Sequence, residues 1–170
     1  HTCAVRQSGS VACWGRGDHG QLGNNATADQ HTPVDVSGLS DAVSVSGEWG
    51  HTCAVRQGGS VQCWGAGSYG QIGNGAGEDQ LTPVDVSGLS NAVSVSAGSQ
   101  HTCTLWQNGS VGCWGWGTSG QLGNGDTGDQ SQPVGVSGLS DAVSVSAGYA
   151  HTCALSQDGS VQCWGWNGYG

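Results

Sequence analysis

Valines at every second position mark the most regular part of this sequence. The segments PVDVS at 33–37 and AVSVS at 42–46 place apolar side chains on one face and polar side chains on the other. This alternation is typical of half-buried β-strands. The segments HTCAV at 51–55 and SVQCW at 60–64 continue it, and connectors rich in Gly, Ser, Asn and Asp separate the segments. No helical periodicity is present, so the pattern predicts an all-β chain.

The strand segments recur at a constant spacing of fifty residues. His1, His51, His101 and His151 begin corresponding stretches, and the copies superpose without gaps. A fixed period of this kind is typical of repeat architectures. The chain therefore contains three full periods and twenty residues of a fourth. Each period is predicted to form a small antiparallel sheet of about four strands.

The turn of one hairpin in each copy predicts how its strands pair. Gln157-Asp158-Gly159 fits a three-residue loop that ends in a left-handed residue, and Gly holds that third position in every copy. Counting outward from the loop pairs Leu155 with Val161 and Cys153 with Cys163. Directly opposed residues lie about 4.5–5.5 Å apart, within the range of a disulfide. The predicted disulfides are Cys3–Cys13, Cys53–Cys63, Cys103–Cys113 and Cys153–Cys163.

Two other interpretations of the cysteines stay open at this point. Reduced, buried thiols would act as small apolar side chains. The second interpretation is a zinc site, because His151, Cys153 and Cys163 offer three ligands per copy. The Cys-x-x-Cys spacing of zinc knuckles, however, is absent. Disulfides are favoured, and they place the protein outside the cytosol. Neither a metal nor another cofactor is expected.

Composition and charge narrow the class of protein further. The 170 residues include 33 Gly, no Phe and no Met, which favours small layered units over one deep core. Three Arg and no Lys stand against twelve acidic residues, for a net charge of -9. Nucleic acids are therefore not expected as partners, because such binding depends on Lys and Arg. No run approaches the roughly 20 apolar residues of a membrane helix and no signal peptide is visible, so membrane insertion is not expected. The start at His1 suggests a processed or excerpted segment.

A spaced set of small, apolar and aromatic residues recurs in the copies. It comprises Gly148, His151, Leu155, Gly159, Val161, Trp164 and Gly165, and in the third copy Gly120, Gln121, Leu122 and Gly123. Over essentially the whole chain this set resembles the repeat of the regulator of chromosome condensation family. The cysteines depart from it, since they occupy positions where the family usually has plain apolar or small residues, and this departure suits an exported, disulfide-containing branch.

The resemblance implies a β-propeller of four-stranded blades, typically about seven of them. The expected fold class is all-β, with tandem four-stranded antiparallel blades forming a partial ring in this chain, or an open blade-like repeat array. If a blade contains the strands near Pro33, Ala42, Thr52 and Ser60, the complete blades are 33–65, 83–115 and 133–165. Residues 1–15 are then an orphan hairpin, and 16–32, 66–82 and 116–132 are Gly-rich inter-blade loops.

Candidate catalytic chemistry is sparse. The chain has no Gly-x-Ser-x-Gly motif and no phosphate-binding glycine loop. The four repeated histidines have no neighbouring carboxylate or nucleophile in a unique setting, and we interpret them as structural residues that hydrogen-bond the backbone. No enzymatic activity and no catalytic residue are expected.

The copies differ mainly in the loops after each Trp-Gly pair and before each repeated histidine. Loops on a rigid scaffold commonly carry recognition, and aromatic residues dominate binding hot spots. The candidate partner-binding residues are Arg16, Asp18, His19, Trp49, Tyr69, Trp116, Tyr149 and Trp166. The alternative, in which the aromatic residues among them pack between blades, stays open. Asn25 and Asn108 begin glycosylation sequons.

Two functions are consistent with these features. The favoured one is a non-enzymatic, extracellular or cell-surface structural protein, whose stapled blades assemble end to end as a fibre, sheath or surface layer, or form part of a longer propeller. Its partners would be other copies of itself or further repeats of the same chain. The alternative is a secreted protein-binding or inhibitory propeller module that uses its aromatic loops on a protein or glycan. The similarity of the copies favours the first.

Overall fold

The computed structural model describes residues 1–169, and this part of the chain forms fourteen β-strands and no helix. The strands are β1 (Thr2–Val5), β2 (Val11–Gly15), β3 (Gln30–Asp35), β4 (Ala42–Glu48), β5 (His51–Arg56), β6 (Val61–Gly65), β7 (Gln80–Asp85), β8 (Ala92–Ala97), β9 (His101–Trp106), β10 (Val111–Gly115), β11 (Gln130–Gly135), β12 (Ala142–Ala147), β13 (His151–Ser156) and β14 (Val161–Gly165). The all-β prediction is confirmed. Within residues 1–169 there is no helix that could cross a membrane.

The strands form four antiparallel meanders, in which each strand pairs with the next one along the chain. Sheet 1 contains β1–β3, sheet 2 contains β4–β7, sheet 3 contains β8–β11 and sheet 4 contains β12–β14. Sheets 2 and 3 are therefore four-stranded, whereas sheets 1 and 4 have three strands each among the described residues.

The structure groups the strands differently from the predicted blades 33–65, 83–115 and 133–165. The strand near Pro33 pairs with β2, where Val34 lies opposite Cys13, and not with β4. Loop 16–29 connects β2 to β3 within sheet 1. The short connection 36–41 then leads from β3 to β4, the first strand of sheet 2. Residues 1–15 are therefore not an orphan hairpin, and segments 16–32, 66–82 and 116–132 provide loops within a sheet.

The cysteine-bearing hairpins have the register that their turns predict. In sheet 2, Cys53 lies opposite Cys63 and Val55 lies opposite Val61. Gly59 adopts φ +80° and donates its N–H to the carbonyl of Arg56. All four expected disulfides are present, each with its two Cα atoms 4.1 Å apart. Because all eight cysteines are bonded in pairs, neither the reduced-thiol nor the zinc interpretation fits.

Neighbouring sheets pack face to face through thin apolar layers. Trp64 of sheet 2 is fully buried in one cluster with Val11 and Leu22 of sheet 1, and the next two boundaries repeat this arrangement. The first strands of sheets 2 to 4 lie side by side, and Ser46 Oγ accepts the Ala97 N–H at 3.0 Å between β4 and β8. Each boundary therefore has a small core of its own, as expected for a repeat protein.

Candidate functional site

The variable loops lie together at one edge of the sheets, because antiparallel strands return the chain to the same edge after every second strand. These loops are 49–50, 98–100 and 148–150, which precede the repeated histidines, and 16–29, 66–79 and 116–129, which follow the Trp-Gly pairs. The Ala66 N–H donates to the Gly50 carbonyl at 2.8 Å and ties two of these loops together. We call this edge, together with residues 166–169, the loop face.

A buried hydrogen-bond relay joins each sheet to the next. His51 Nε2 lies 2.8 Å from Thr102 Oγ1, and the Thr102 hydroxyl donates to the Gln71 carbonyl at 2.9 Å. The Trp114 indole N–H donates to the same carbonyl at 2.8 Å. Residues of sheets 2 and 3 therefore meet at one backbone oxygen. The relay recurs with His1, Thr52, Gln21 and Trp64, and with His101, Thr152, Gln121 and Trp164.

The relay fixes the protonation of its histidines. Thr102 uses its only proton on the Gln71 carbonyl, so His51 Nε2 carries the N–H that Thr102 accepts. Nδ1 of His51 and Nδ1 of His101 are buried without a hydrogen-bond partner among the described residues. Burial lowers the pKa of His51 to about 3 and that of His101 to about 4, and the next histidine along the array adds to each shift. Both side chains are therefore neutral at pH 7.

A buried glutamine holds each Gly-Gln-Leu-Gly or Gly-Gln-Ile-Gly turn under the loop face. Gln71 Oε1 accepts the backbone N–H of Tyr69 at 2.9 Å, while its own carbonyl accepts the relay bonds. Gln21 does the same for His19, at 2.8 Å. Variable residues of the loop face are therefore anchored to a framework that repeats from sheet to sheet.

The relay corrects one prediction and adds residues to the site. The repeated histidines were expected to bond backbone groups, and this is wrong for His1, His51 and His101, whose Nε2 atoms bond threonine hydroxyls of the next sheet. The sequence pattern includes Gln121 in the spaced repeat set but assigns no contact to it, and it does not single out the relay threonines. Their recurrence at fixed positions could have identified them. Thr follows every repeated histidine, and Gln is the second residue of every Gly-Gln-Leu-Gly or Gly-Gln-Ile-Gly turn.

Four of the predicted binding residues form one cluster on the loop face. The Arg16 guanidinium lies 5.5 Å from the centroid of the Trp49 indole and donates to Asp18 at 2.6 Å. The His19 ring lies 5.7 Å from Trp49, and its Nδ1 is 3.0 Å from an oxygen of Asp79. The hydrogen bond from Arg16 lowers the pKa of Asp18 to about 2. This cluster brings an aromatic ring, a cation and carboxylates together at the boundary of sheets 1 and 2.

The other predicted aromatic residues lie further along the same face. Tyr69 and Trp116 form a tilted pair with centroids 6.3 Å apart, and Trp166 packs edge-on against Tyr169 at 5.1 Å. Tyr149 is 68% exposed, and Trp166, like Trp49, is 49% exposed. The alternative of packing between blades fits Trp116 in part, because it is half-buried against Tyr69 across the boundary of sheets 2 and 3, whereas Tyr149 and Trp166 are exposed.

The two sequons lie at different edges of the sheets. Asn25 is exposed in loop 16–29, where it adopts φ +61° and its backbone N–H donates to the Leu81 carbonyl at 3.0 Å. Asn108 is exposed at the tip of the β9–β10 hairpin, on the edge opposite the loop face. Either side chain is accessible to a modifying enzyme.

A groove of about 700 Å³ lies over the last disulfide, lined by His151, Cys153, Cys163, Trp164 and Trp166 among others. In sheet 2 the corresponding Cys53 and Cys63 are buried in one cluster with Ile72 and with Trp114 of the next sheet. The surface that lines this groove is therefore equivalent to surface that is buried in the apolar core between sheets 2 and 3.

These features define an arc of β-propeller blades, each stapled by one disulfide and joined to the next by the same buried relay. The family model "Regulator of chromosome condensation (RCC1) repeat" matches residues 8–55, 58–105 and 108–155, and a second RCC1 repeat model matches 42–71 and 142–170. The chain belongs to the RCC1 repeat family.

Solved structures confirm the propeller fold. The structure of human WBSCR16 superposes with a TM-score of 0.84 at 23% identity, over 95% of this chain and 44% of that one. Yeast RCC1 (Prp20), solved with Kap60, superposes with a TM-score of 0.81 at 23% identity, over 92% of this chain and 40% of that one. The mitochondrial RCC1 domain-containing protein RUG3 of Arabidopsis thaliana is 39% identical over 41 residues, 24% of this chain and 9% of that protein. The chain thus spans less than half the length of each of these relatives.

Proposed function

We propose that this chain is a non-enzymatic, protein-binding segment of a β-propeller that recognises its partner through the loop face. The observation that carries the proposal is that Trp49, Tyr149 and Trp166 are 49%, 68% and 49% exposed on that one face. The loops that bear them are tied to one another and to the buried relay, so little conformational entropy is lost when a partner binds. Large aromatic side chains on such a surface are the usual source of binding energy at interfaces.

Related propellers support a protein-binding role. One structure contains yeast RCC1 (Prp20) bound to Kap60, and another, of Prp20p from Saccharomyces cerevisiae, is described with its binding to Gsp1p and histones. Those partners belong to Prp20, which is 23–24% identical to this chain and of which this chain covers only 40–41%. These relatives support the view that a propeller built from this repeat can serve as a protein-binding surface.

The proposed setting is extracellular or at the cell surface. One disulfide per hairpin is typical of proteins in oxidising compartments, and the exposed Asn25 and Asn108 sequons are available to a glycosylating host. A fold of this kind also occurs in the ectodomain of the Physcomitrella patens receptor kinase CR4, with a TM-score of 0.53 at 23% identity over 79% of this chain and 32% of that one.

Replacing three indoles of the loop face is expected to reduce partner capture about tenfold or more. The immobilised protein, a Trp49→Ser/Trp116→Ser/Trp166→Ser variant and an opposite-edge control, Ser8→Ala/Asn108→Ala/Asp158→Ala, are exposed to proteins secreted by the source organism. Mass spectrometry is expected to find proteins bound to the wild type and the control, with about tenfold or greater loss on the triple tryptophan variant. Equal capture by all three would contradict the proposal.

A second candidate is end-to-end assembly, favoured by the chemistry of the outer sheet faces. Sheet 4 exposes Leu155 and Val161 at 38% and 63%, together with His151, and sheet 1 exposes Thr2. At the internal boundaries, residues equivalent to His151 and Thr2 meet in the relay. Another copy, or further repeats of the same chain, could therefore cover these faces in a fibre, sheath, surface layer or longer propeller. Sedimentation velocity over a range of concentrations distinguishes self-association from a monomer.

A further inference from the structure

Three aromatic residues of the loop face, Tyr69, Trp116 and Tyr149 on sheets 2 to 4, are called the aromatic saddle here. Tyr69 and Trp116 pair across the boundary of sheets 2 and 3, and Tyr149 lies on the loop that enters β13. Tyr69 and Tyr149 are 37% and 68% exposed, and Trp116 is half-buried. Among residues 1–169 the arginine that lies over an aromatic ring is Arg16, on Trp49, so no arginine covers these three rings.

The boundary of sheets 1 and 2 shows what an aromatic ring in this position accepts. There the Arg16 guanidinium lies over the Trp49 indole at 5.5 Å and is held by the Asp18 carboxylate at 2.6 Å. A guanidinium over an indole, fixed by a carboxylate, is a stabilising cation–π arrangement. The chain therefore fills this aromatic site with a cation of its own.

Two periods further along, the positions of Trp49 and Arg16 are both occupied by aromatic residues of the saddle. Tyr149 stands where Trp49 stands in the earlier copy, and Trp116 replaces Arg16. The aromatic position that binds a guanidinium at the boundary of sheets 1 and 2 is thus 68% exposed, as Tyr149, at the boundary of sheets 3 and 4.

A carboxylate is available beside the saddle. Asp79 accepts the Gly67 N–H through Oδ1 and places Oδ2 3.0 Å from His19. Asp129, one period later, accepts the Gly117 N–H through Oδ1 at 2.9 Å, and Tyr69 stands in the place of His19. Oδ2 of Asp129 has no hydrogen-bond partner among residues 1–169, so it is free to accept a bond from an incoming N–H group.

The charge around the saddle favours a basic partner. Seven of the chain's twelve acidic residues lie on or next to the loop face, where Arg16 is the only arginine or lysine, and Arg16 is already paired with Asp18. These acids are Asp18, Asp29, Glu48, Glu78, Asp79, Asp126 and Asp129, all exposed. Complementary charge steers association and disfavours acidic competitors.

We propose that the aromatic saddle binds an arginine or lysine side chain of an extended basic segment in a partner protein. The planar guanidinium stacks on Trp116 and Tyr69 and donates to Oδ2 of Asp129, which combines an aromatic ring and a carboxylate as the Arg16, Trp49 and Asp18 contact does. This inference rests on the proposed protein-binding function and gives the partner its chemical class.

Three matched peptides test the assignment: a Gly-Ser-Arg repeat, the same peptide with citrulline for arginine, and the same peptide with glutamate. Citrulline keeps the shape of arginine and removes its charge. Indole N–H resonances of the isotope-labelled protein report where each peptide binds. The arginine peptide is expected to shift the Trp116 resonance and to bind about tenfold more tightly than the citrulline peptide.

Variants locate the site. Trp116→Leu is expected to remove most of the arginine-peptide affinity, and Asp129→Asn, which keeps the Oδ1 acceptor for Gly117, to weaken it several-fold. Asn108→Ala, at the tip of the β9–β10 hairpin on the opposite edge, is the control and should leave the affinity unchanged. Arg16→Ala should uncover Trp49 and add its resonance to those that the arginine peptide shifts.

The outcomes separate this inference from the proposed function. Equal affinity for the arginine and citrulline peptides, with Trp116 shifted by both, would overturn the cationic assignment and leave the loop face as a binding surface. No shift of Trp116 with any peptide would also overturn the assignment, and the capture experiment would then decide on the proposed function separately.

Discussion

Lowering the pH from 7 to 4 is expected to reduce the free energy of unfolding by several kcal/mol, through His51 and His101. In the folded protein each ring donates from Nε2 to a threonine hydroxyl and keeps an unpartnered Nδ1 buried. Protonation would place a second N–H in that dry position with no acceptor. Burial therefore lowers the pKa of His51 to about 3 and that of His101 to about 4.

The direction follows from where the protons bind. An unfolded histidine titrates near pH 6.5, so between about pH 6.5 and 4 the unfolded chain takes up protons that the folded chain does not. Stability is thus fully present above this window and is lost as the pH falls through it, at about 1.4 kcal/mol per pH unit for each histidine. Asp18, whose pKa is lowered to about 2 beside Arg16, loses its contribution only below its ordinary value of 3.8, outside this window.

Urea unfolding at a series of pH values measures this effect. A His51→Gln/His101→Gln variant keeps an N–H that can reach Thr102 and Thr152 but does not titrate, so its stability should change much less between pH 7 and 4. His31→Gln, at an exposed strand position, is the control and should behave like the wild type. A double variant with the full wild-type pH dependence would show that these histidines are not its source.

The sequence predicts best what is local in the chain. The alternating valines predict the strands, and the left-handed glycine of the hairpin turn fixes which residues face each other, including Cys53 and Cys63. Both depend on residues within about ten positions of one another, so propensity and turn geometry are sufficient.

Strand partners and the relay are harder to predict because they depend on distant residues. Val34 alternates with polar residues in the same way whether its strand pairs with β2 or with β4, and only the fold shows that it lies opposite Cys13. The Gln21 carbonyl meets Thr52 and Trp64, which are 31 and 43 positions away. No local pattern specifies such a contact, although the fifty-residue period shows that it must recur once it is known.

The repeat also separates the buried from the exposed tryptophans. Trp64 and Trp49 cannot be distinguished by composition, yet one is fully buried and the other is 49% exposed. Trp64 occupies a strand position that recurs in every copy, whereas Trp49 occupies a loop position that becomes Ser99 and Tyr149 in later copies. For the tryptophans, variation between copies therefore indicates the surface, and constancy indicates the boundary between sheets.

Replacing Gly73 by alanine is expected to destabilise the protein by more than about 4 kcal/mol, or to prevent folding. Gly73 adopts φ +80°, and a Cβ atom there would lie 2.6 Å from Nε1 of Trp114 and 2.9 Å from Cγ1 of Val86. The left-handed backbone alone costs an alanine about 1–2 kcal/mol. The clash adds to this cost because it displaces a fully buried indole and breaks its hydrogen bond to the Gln71 carbonyl, the point at which sheets 2 and 3 meet.

Alanine substitutions at two other glycines separate the backbone strain from the steric clash. Gly88 adopts φ +71° with no atom within 4 Å of an added Cβ, so Gly88→Ala should cost only the backbone strain. Gly77 has neither a left-handed φ nor a neighbour within 4 Å, and Gly77→Ala should change stability by less than about 0.5 kcal/mol. Guanidinium unfolding of the three oxidised variants, followed by tryptophan fluorescence, gives the comparison. If Gly73→Ala costs no more than Gly88→Ala, the boundary can absorb a methyl group beside the indole, and the relay does not hold neighbouring blades in a single arrangement.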